Sequence, residues 1–275
     1  MKAAGLSMDA RTVKETLANI GVYPDKRLGQ TFLVDEDVAR REAAAAGIEG
    51  KDTVLEVGPG LGVLTAELCV LAGRVIAVEK DRKLARFLRE NLQADNLQVI
   101  EGDILEVDIP PYDVAVGNLP YSVSSPTIFR LSEGGMKRGL FMIQREVAER
   151  TVAGPFTAEY SRMSASLQRL YEVSLLFGVG HSHFYPQPDV DSAVIRLSRR
   201  EGAKLWPEFD YFVGLLFSQR RKTINSILRK SVAGYSGMSE RAPFGEKRVE
   251  ELSIAQMEEL VGWLLSRSPE ALPRN

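Results

Sequence analysis

The sequence predicts an α/β fold, a parallel sheet flanked by helices, followed by a small all-helical C-terminal domain. Three observations predict it. In the first half, short β-rich runs alternate with stretches of helical periodicity, the pattern of successive strand–helix units. A glycine-rich turn, Gly58-Pro59-Gly60-Leu61-Gly62, joins one such strand to the helix after it. Beyond Arg200 the β-rich runs stop and only helical patterns remain.

Taken in order, residues 52–57 form a strand, 61–72 a helix and 74–79 a second strand. A helix over 81–93 carries Leu84, Phe87, Leu88 and Leu92 at helical spacing. Residues 97–100 and 112–116 supply two more strands, and Pro126 after Ser124-Ser125 marks a helix start. A strand over 139–143 leads into a helix over 144–153, closed by Gly154-Pro155, and 159–170 is helical. Residues 172–177 and 191–198 are strands around a Gly/Pro-rich loop, and an antiparallel pair there would finish the sheet. Residues 207–230 and 253–265 are helical. The domains are therefore 1–199, led by a helical segment over 1–50, and 200–275, with no internal repeat or low-complexity stretch.

A chain of 275 residues holds one large domain and a smaller one. With 44% apolar and 26% charged residues, the composition is that of a soluble globular protein. No apolar run approaches the roughly 18 residues of a membrane-spanning helix, and residues 1–10 do not resemble a signal peptide; the expectation is no membrane and a cytoplasmic location. Cys69, the only cysteine, excludes an intrachain disulfide and a cysteine-based metal site. His181 and His183 are the only histidines, with no carboxylate cluster beside them in sequence, so no metal is assigned. A Ser-His-Asp mechanism has little raw material. The net charge of -2 argues against a protein that coats nucleic acid, yet residues 218–230 carry Arg220, Arg221, Lys222, Arg229 and Lys230 and no acid. Alone, such a run is more often a solvated helix face.

The glycine turn points to a bound nucleotide or nucleoside. It lets a ligand approach the backbone with a helix N-terminus facing it. Its spacing is G-x-G-x-G, with Val63 where the third glycine of the dinucleotide fingerprint would stand. Glu79 ends the next strand, 21 residues beyond Gly58, where a carboxylate can accept from both hydroxyls of a ribose. That suits NAD or S-adenosylmethionine alike. Asp103, in Glu101-Gly102-Asp103, could accept an adenine amino group. All these features lie at the carboxyl ends of consecutive strands, where open α/β sheets bind ligands.

The next strand breaks into Gly117-Asn118-Leu119-Pro120-Tyr121. The amide oxygen of Asn118 and the carbonyl of Leu119 or Pro120 can together hold both hydrogens of an exocyclic NH2 group. Tyr121 offers a face on which a base stacks, typically worth ~1–3 kcal/mol. Adenine's amine is a poor nucleophile because its lone pair is delocalised. Acceptors on its hydrogens favour a pyramidal nitrogen aimed at an electrophile, and against a sulfonium methyl group placement supplies most of the catalysis.

Six blocks recur in one order: Arg27-Leu28-Gly29-Gln30-Thr31-Phe32-Leu33, the run from Glu56 to Gly62, that from Gly117 to Tyr121, Gln144-Arg145-Glu146-Val147, the run from Phe184 to Val194, and Ser218-Gln219-Arg220-Arg221-Lys222-Thr223-Ile224. Over nearly its whole length the chain resembles the ribosomal RNA adenine dimethyltransferase family. The resemblance implies a Rossmann-like class I methyltransferase sheet with S-adenosylmethionine as methyl donor. Gln30, Thr31 and Leu33 would pack on it from an N-terminal segment bordering the RNA, and Gly58, Gly60, Glu79, Asp103 and Asn118 would contact it. Phe184 would face Tyr121 across the target base. The implied product is N6,N6-dimethyladenosine at two adjacent adenines near the 3′ end of small-subunit ribosomal RNA. The implied partner is a pre-ribosomal small subunit, met by a monomeric enzyme. Lys26, Arg27, Arg145, Arg220, Arg221 and Lys222 would then touch RNA, mainly at phosphates. Thr31 departs from the family pattern, in which Asn or His is usual.

Three rivals remain. Large-subunit RNA methyltransferases of the macrolide-resistance type share the fold and chemistry, but Tyr121 and the block from Phe184 favour the small-subunit enzymes. A non-catalytic assembly factor would not need intact Asn118-Leu119-Pro120-Tyr121. An NAD-dependent dehydrogenase is disfavoured by the glycine spacing.

Overall fold

The structure, a computed structural model, describes residues 9–24, 30–232, 235 and 241–267. It divides into two compact units, one running to Ala148 and resuming over Ser174–Arg199, the other formed by Glu149–Val173 and the chain from Arg200 onward.

The first unit opens with helix α1 (Ala10–Asn19), a two-residue strand β1 (Phe32–Leu33) and helix α2 (Glu36–Ala45). Strand β2 (Thr53–Val57), helix α3 (Val63–Leu71), strand β3 (Arg74–Glu79), helix α4 (Arg82–Asn91) and strand β4 (Leu97–Glu101) follow. Next come β5 (Val114–Asn118), α5 (Ser124–Glu133) and β6 (Arg138–Gln144). After α6 (Arg145–Val152) and α7 (Arg162–Leu170), strands β7 (Tyr171–Val179), β8 (Phe184–Tyr185) and β9 (Ser192–Arg199) return the chain to the sheet.

The sheet order is β4-β3-β2-β5-β6-β9-β7. Strands β2 to β6 are parallel and β9 runs antiparallel to β6. The chain winds outward from β2 to β4 and then crosses to β5, so the switch in strand order falls between β2 and β5. The middle strands are almost wholly buried, as expected where helices cover both faces. Val54, Val75, Val114, Leu140 and Met142 pack with Ala39, Ala43, Leu64 and Leu68 of α2 and α3. Helix starts are set by side chains that satisfy the first free N–H groups: Asp35 accepts from Asp37 and Val38 N, and Asp81 from Lys83 and Leu84 N.

Two features of this unit differ from the sequence expectation. Strand β5 lies two residues later than predicted, so Asn118 closes the strand instead of following it. A second sheet also pairs β1 with β8, Phe32 opposite Tyr185 and Leu33 opposite Phe184. Val34 N donates to His183 O at 2.9 Å, and Asp35 Oδ2 lies 2.7 Å from His183 Nδ1. The N-terminal segment is thereby fastened to the loop after β7.

The second unit gathers α7 with α8 (Pro207–Phe217), α9 (Ile224–Ser231) and α10 (Ile254–Arg267). Its core includes Tyr160, Ala165, Phe209, Phe212, Ile227 and Leu260. This division differs from the single boundary expected at residue 199, because 149–173 belongs here. The reason is packing: Tyr160 is fully buried and its hydroxyl donates to Leu252 O at 3.1 Å. The helix expected over 207–230 is broken at 218–223, where Thr223 caps α9 by accepting from Ser226 N. Among the described residues no helix is long and apolar enough to cross a membrane.

Gly117 is where β5 comes closest to β2: a Cβ there would lie 2.7 Å from the Val57 carbonyl oxygen. Gly117→Ala is expected to destabilise the protein by about 1–3 kcal/mol in urea unfolding, the usual range for overpacking. Gly50→Ala, where a Cβ meets nothing within 4 Å, should stay within about 0.5 kcal/mol of the parent.

Candidate active site

The carboxyl ends of β2, β3, β4 and β5 bring the expected groups to one edge of the sheet. After β2 the chain turns through Gly58 (φ 69°) and Gly60 (φ 59°), in the left-handed region that favours glycine. At Gly60 a side chain would also press on the Phe32 ring, whose Cδ1 would be 3.2 Å from its Cβ. Glu79, ending β3, is 6% exposed. Its Oε2 accepts from Gly60 N at 3.1 Å and its Oε1 from Asp81 N at 2.8 Å. Burial pushes this carboxyl up from its usual range, against the pull of those amides. Each oxygen keeps a lone pair for a further donor such as a ribose hydroxyl.

Asp103 stands just beyond β4 but is not an idle acceptor. Its Oδ2 pairs with Lys80 Nζ at 2.7 Å and its Oδ1 accepts from Leu105 N at 2.9 Å, and the lysine holds its pKa below the usual value. An incoming amine would share this carboxylate with Lys80.

Asn118 Oδ1 is buried and has no hydrogen-bond partner among the described residues. Around it lie two acids to which the sequence alone assigns no role. Glu42, from α2, is 0% exposed; burial pushes it up to about 8, the Asn118 amide opposing and the Glu56 charge adding. Glu56, from β2, is 2% exposed and is likewise pushed by burial to about 8, with Thr65 opposing and Glu79 adding. Both Glu42 oxygens, Glu56 Oε2 and Thr65 Oγ1 also lack a partner among the described residues, so Glu42 faces the Asn118 amide without a closed hydrogen bond. Thr31, Leu33, Glu56, Gly58, Gly60 and Asn118 line a common cavity that is partly open to solvent. Gln30, partly buried, adjoins Thr31 in the chain but is not part of that lining.

Beyond Asn118 the loop is firmly held. Leu119 is 2% exposed and its N–H donates to Met142 O at 3.0 Å. The Pro120 carbonyl accepts from Val123 N at 3.0 Å, which leaves the Leu119 carbonyl as the backbone acceptor beside Asn118. The half-buried Tyr121 is fixed by a 3.0 Å hydrogen bond between its hydroxyl and Ser192 Oγ, and burial raises its pKa. Arg145 is exposed next to this turn: its N–H donates to Asp191 O at 3.0 Å.

Other expected residues are placed differently. Phe184 is only 4% exposed and packs in the core with Leu33, Val179 and Val194. Arg220 is committed inside the second unit: Nε to Glu250 Oε2 at 3.1 Å, and the other two nitrogens to the carbonyls of Ala158 and Thr157. It fastens a loop and is not displayed for a phosphate. Arg221 and Lys222 are exposed, with no ion-pair partner among the described residues. Lys26 and Arg27 lie outside the described residues. The fold gives each histidine one carboxylate that sequence proximity did not reveal, His181 with Asp191 at 3.0 Å and His183 with Asp35.

Glu42, Glu56 and Lys80 carry the weakest sequence signals of the site. Glu42 alone had a legible one, an acid three residues from Ala39 and four from Ala46, on the face of a helix that should be apolar.

Comparison with known proteins follows the same direction. A family model described as ribosomal RNA adenine dimethylase matches residues 24–265. A Thermococcus onnurineus protein named "Probable ribosomal RNA small subunit methyltransferase A" is 39% identical over 258 residues, covering 90% of this chain and 95% of its own. A Thermotoga neapolitana protein named "Ribosomal RNA small subunit methyltransferase A" is 37% identical over 246 residues, covering 89% and 93%. The solved structure of a dimethyladenosine transferase from Plasmodium falciparum matches with a TM-score of 0.74 at 28% identity, covering 86% of this chain and 98% of that one.

The buried acids have a consequence for stability. Glu42 and Glu56 sit at about 8 in the fold against an ordinary 4.5. The folded chain therefore keeps protons that the unfolded chain has lost. Their contribution is whole below about pH 4.5 and is lost as pH rises to about 8. The melting temperature is expected to fall over that interval, and Glu42→Gln to flatten the fall.

Proposed function

The chain belongs to the ribosomal RNA adenine dimethylase family, and on that premise we propose that it dimethylates the N6 amines of two adjacent adenosines near the 3′ end of small-subunit ribosomal RNA. It is an S-adenosylmethionine-dependent methyltransferase with a Rossmann-like sheet. The observation that carries the reading is Asn118, whose buried, unpartnered Oδ1 stands next to the glycine turn in one cavity lining.

The residues present fit this donor. Gly58 and Gly60 let it approach the backbone closely, Glu79 keeps acceptor capacity for the ribose hydroxyls, and Asp103 meets the adenine amine beside Lys80. Gln30, Thr31 and Leu33 bound it from the N-terminal segment. When bound, S-adenosylmethionine supplies an electrophilic methyl group carried on a sulfonium.

The chain's own work is to present the nucleophile. Asn118 Oδ1 and the Leu119 carbonyl each accept one N6 hydrogen, which favours a pyramidal nitrogen with its lone pair turned to the donor. Pro120 shapes the turn that sets these two acceptors side by side. Tyr121, fixed through Ser192, stacks on the base, and Phe184 supports the pocket from the core. Holding the amine in line is the main catalytic contribution, and no strong base is needed because the alkylated nitrogen is itself acidic.

The substrate is an RNA already folded in an immature small subunit, met by a monomer in the cytoplasm. The target base leaves its stack to enter the site. Arg145, Arg221 and Lys222 contact phosphates, joined by Lys26 and Arg27 from the N-terminal segment. Arg220 serves the loop of residues 157–158 instead.

Labelled methyl groups offered with purified immature small and large subunits are expected in the small-subunit RNA only; label confined to the large-subunit RNA would overturn the reading. Asn118→Ala is expected to lower kcat by about 100-fold, the scale for losing one preorganised polar contact to the reacting group. Combined Arg221→Ala and Lys222→Ala should weaken RNA binding and reduce the slope of log affinity against log salt by about 1–2, with donor affinity unchanged in calorimetry.

A further inference from the structure

Helix α2 buries Ala39, Glu42 and Ala43 against the sheet, and the acid among them has no evident structural use. Its side chain is wholly enclosed, and neither oxygen has a hydrogen-bond partner among the described residues. It forms no ion pair there; the nearest charge is Glu56, of its own sign. A leucine in that place would satisfy the surrounding apolar packing and remove a costly desolvated group. What the carboxyl does have is a neighbour with two unlike ends: the Asn118 amide.

That amide matters because its ends do opposite things. Oδ1 accepts hydrogen bonds and Nδ2 donates them, and the two occupy nearly the same volume. With nothing beneath it, the group can turn over and meet the substrate's amine with a donor, which repels the N–H bonds it should hold. An acceptor beneath the amide removes that freedom, because it attracts Nδ2 and leaves Oδ1 on the far side. Asn118 Oδ1 and both Glu42 oxygens are without partners among the described residues, so no competing hydrogen bond holds either group. Glu56 is less suited to the task, since the groups that act on its carboxyl are Thr65 and Glu79 and not the Asn118 amide.

We propose that Glu42 is a positioning residue, whose carboxyl lies beside the Asn118 amide with an oxygen free to accept from Nδ2, and so keeps Asn118 Oδ1 turned toward the amine to be methylated. A carboxyl in either protonation state retains an oxygen able to accept, so the device does not require an ionised acid. Glu42 touches neither donor nor base; it acts through Asn118. The inference rests on the methyl-transfer reading above.

The test compares Glu42→Leu with Glu42→Gln, using the full chain and immature small subunits. In the leucine variant kcat is expected to fall by about tenfold or more, while KM for S-adenosylmethionine stays within about twofold and the melting temperature does not drop. The glutamine variant keeps an acceptor of the same reach and should retain kcat within about threefold of the parent. Should Glu42→Leu not fold, Glu42→Met carries the same expectation. Parental kcat in a folded apolar variant would overturn the inference. So would equal losses in the apolar and glutamine variants, or a loss expressed as weaker donor binding. A parent protein that methylates no adenine would overturn the function itself and this inference with it, whereas an active parent matched by its leucine variant would overturn this inference alone.

Discussion

Most of the site depends on how closely β5 approaches β2. The two strands pair in parallel from Val54 opposite Val114 to Glu56 opposite Val116, and then Gly117 passes against the Val57 carbonyl with no room for a side chain. One residue further on, the chains part: Val57 leads into the glycine turn and Gly117 into Asn118. Because side chains alternate across a strand, a slip of one residue in either would turn Glu56 or Asn118 to the opposite face. The crevice at the switch in strand order is thus defined by backbone contact before any polar group enters it.

The two ends of the same strands treat buried charge in opposite ways. At the amino ends, Asp52 is 4% exposed but paired: Arg138 and Glu49 N both donate to its Oδ2, at 2.8 and 2.7 Å. At the carboxyl ends, Glu42, Glu56, Thr65 and Asn118 all hold oxygens without partners among the described residues. Buried polar atoms are nearly always satisfied, so a cluster of exceptions marks a place kept for something other than stability. The buried acid at one end of the strands is tied to an arginine, while those at the other end are left chemically open.

Much of this was legible in the sequence, and the limits are physical. Strand β3 falls on the predicted residues, because β-branched runs bounded by turn residues carry their own periodicity. Gly58, Glu79 and Asn118 sit where strand ends put them. What escaped was non-local. Strands β1 and β8 are two residues each, too short for any period, and exist only because they meet. Residues 149–173 read as part of the first domain since chain order cannot show that Tyr160 is buried among helices, the next of which after α7 starts at Pro207. Arg220 looked like its neighbours Arg221 and Lys222, yet its role is decided by Glu250 and two carbonyls remote in sequence. Glu42 broke the apolar pattern of its helix, and only the fold shows what it faces.

The pairing of β1 with β8 has a consequence for how the protein is made. The hydrogen bond that fastens Asp35 to His183 spans 148 positions in the chain. During synthesis the first unit can begin to fold as its strands emerge, with Val13, Leu17 and Phe32 packing on Leu61, Leu84 and Phe87, but β1 has no strand to pair with until Phe184 and Tyr185 have left the ribosome. Closing so long a loop is entropically slow and comes after local structure has formed. A nascent chain therefore closes the strand pair that borders its glycine turn only late in its own translation.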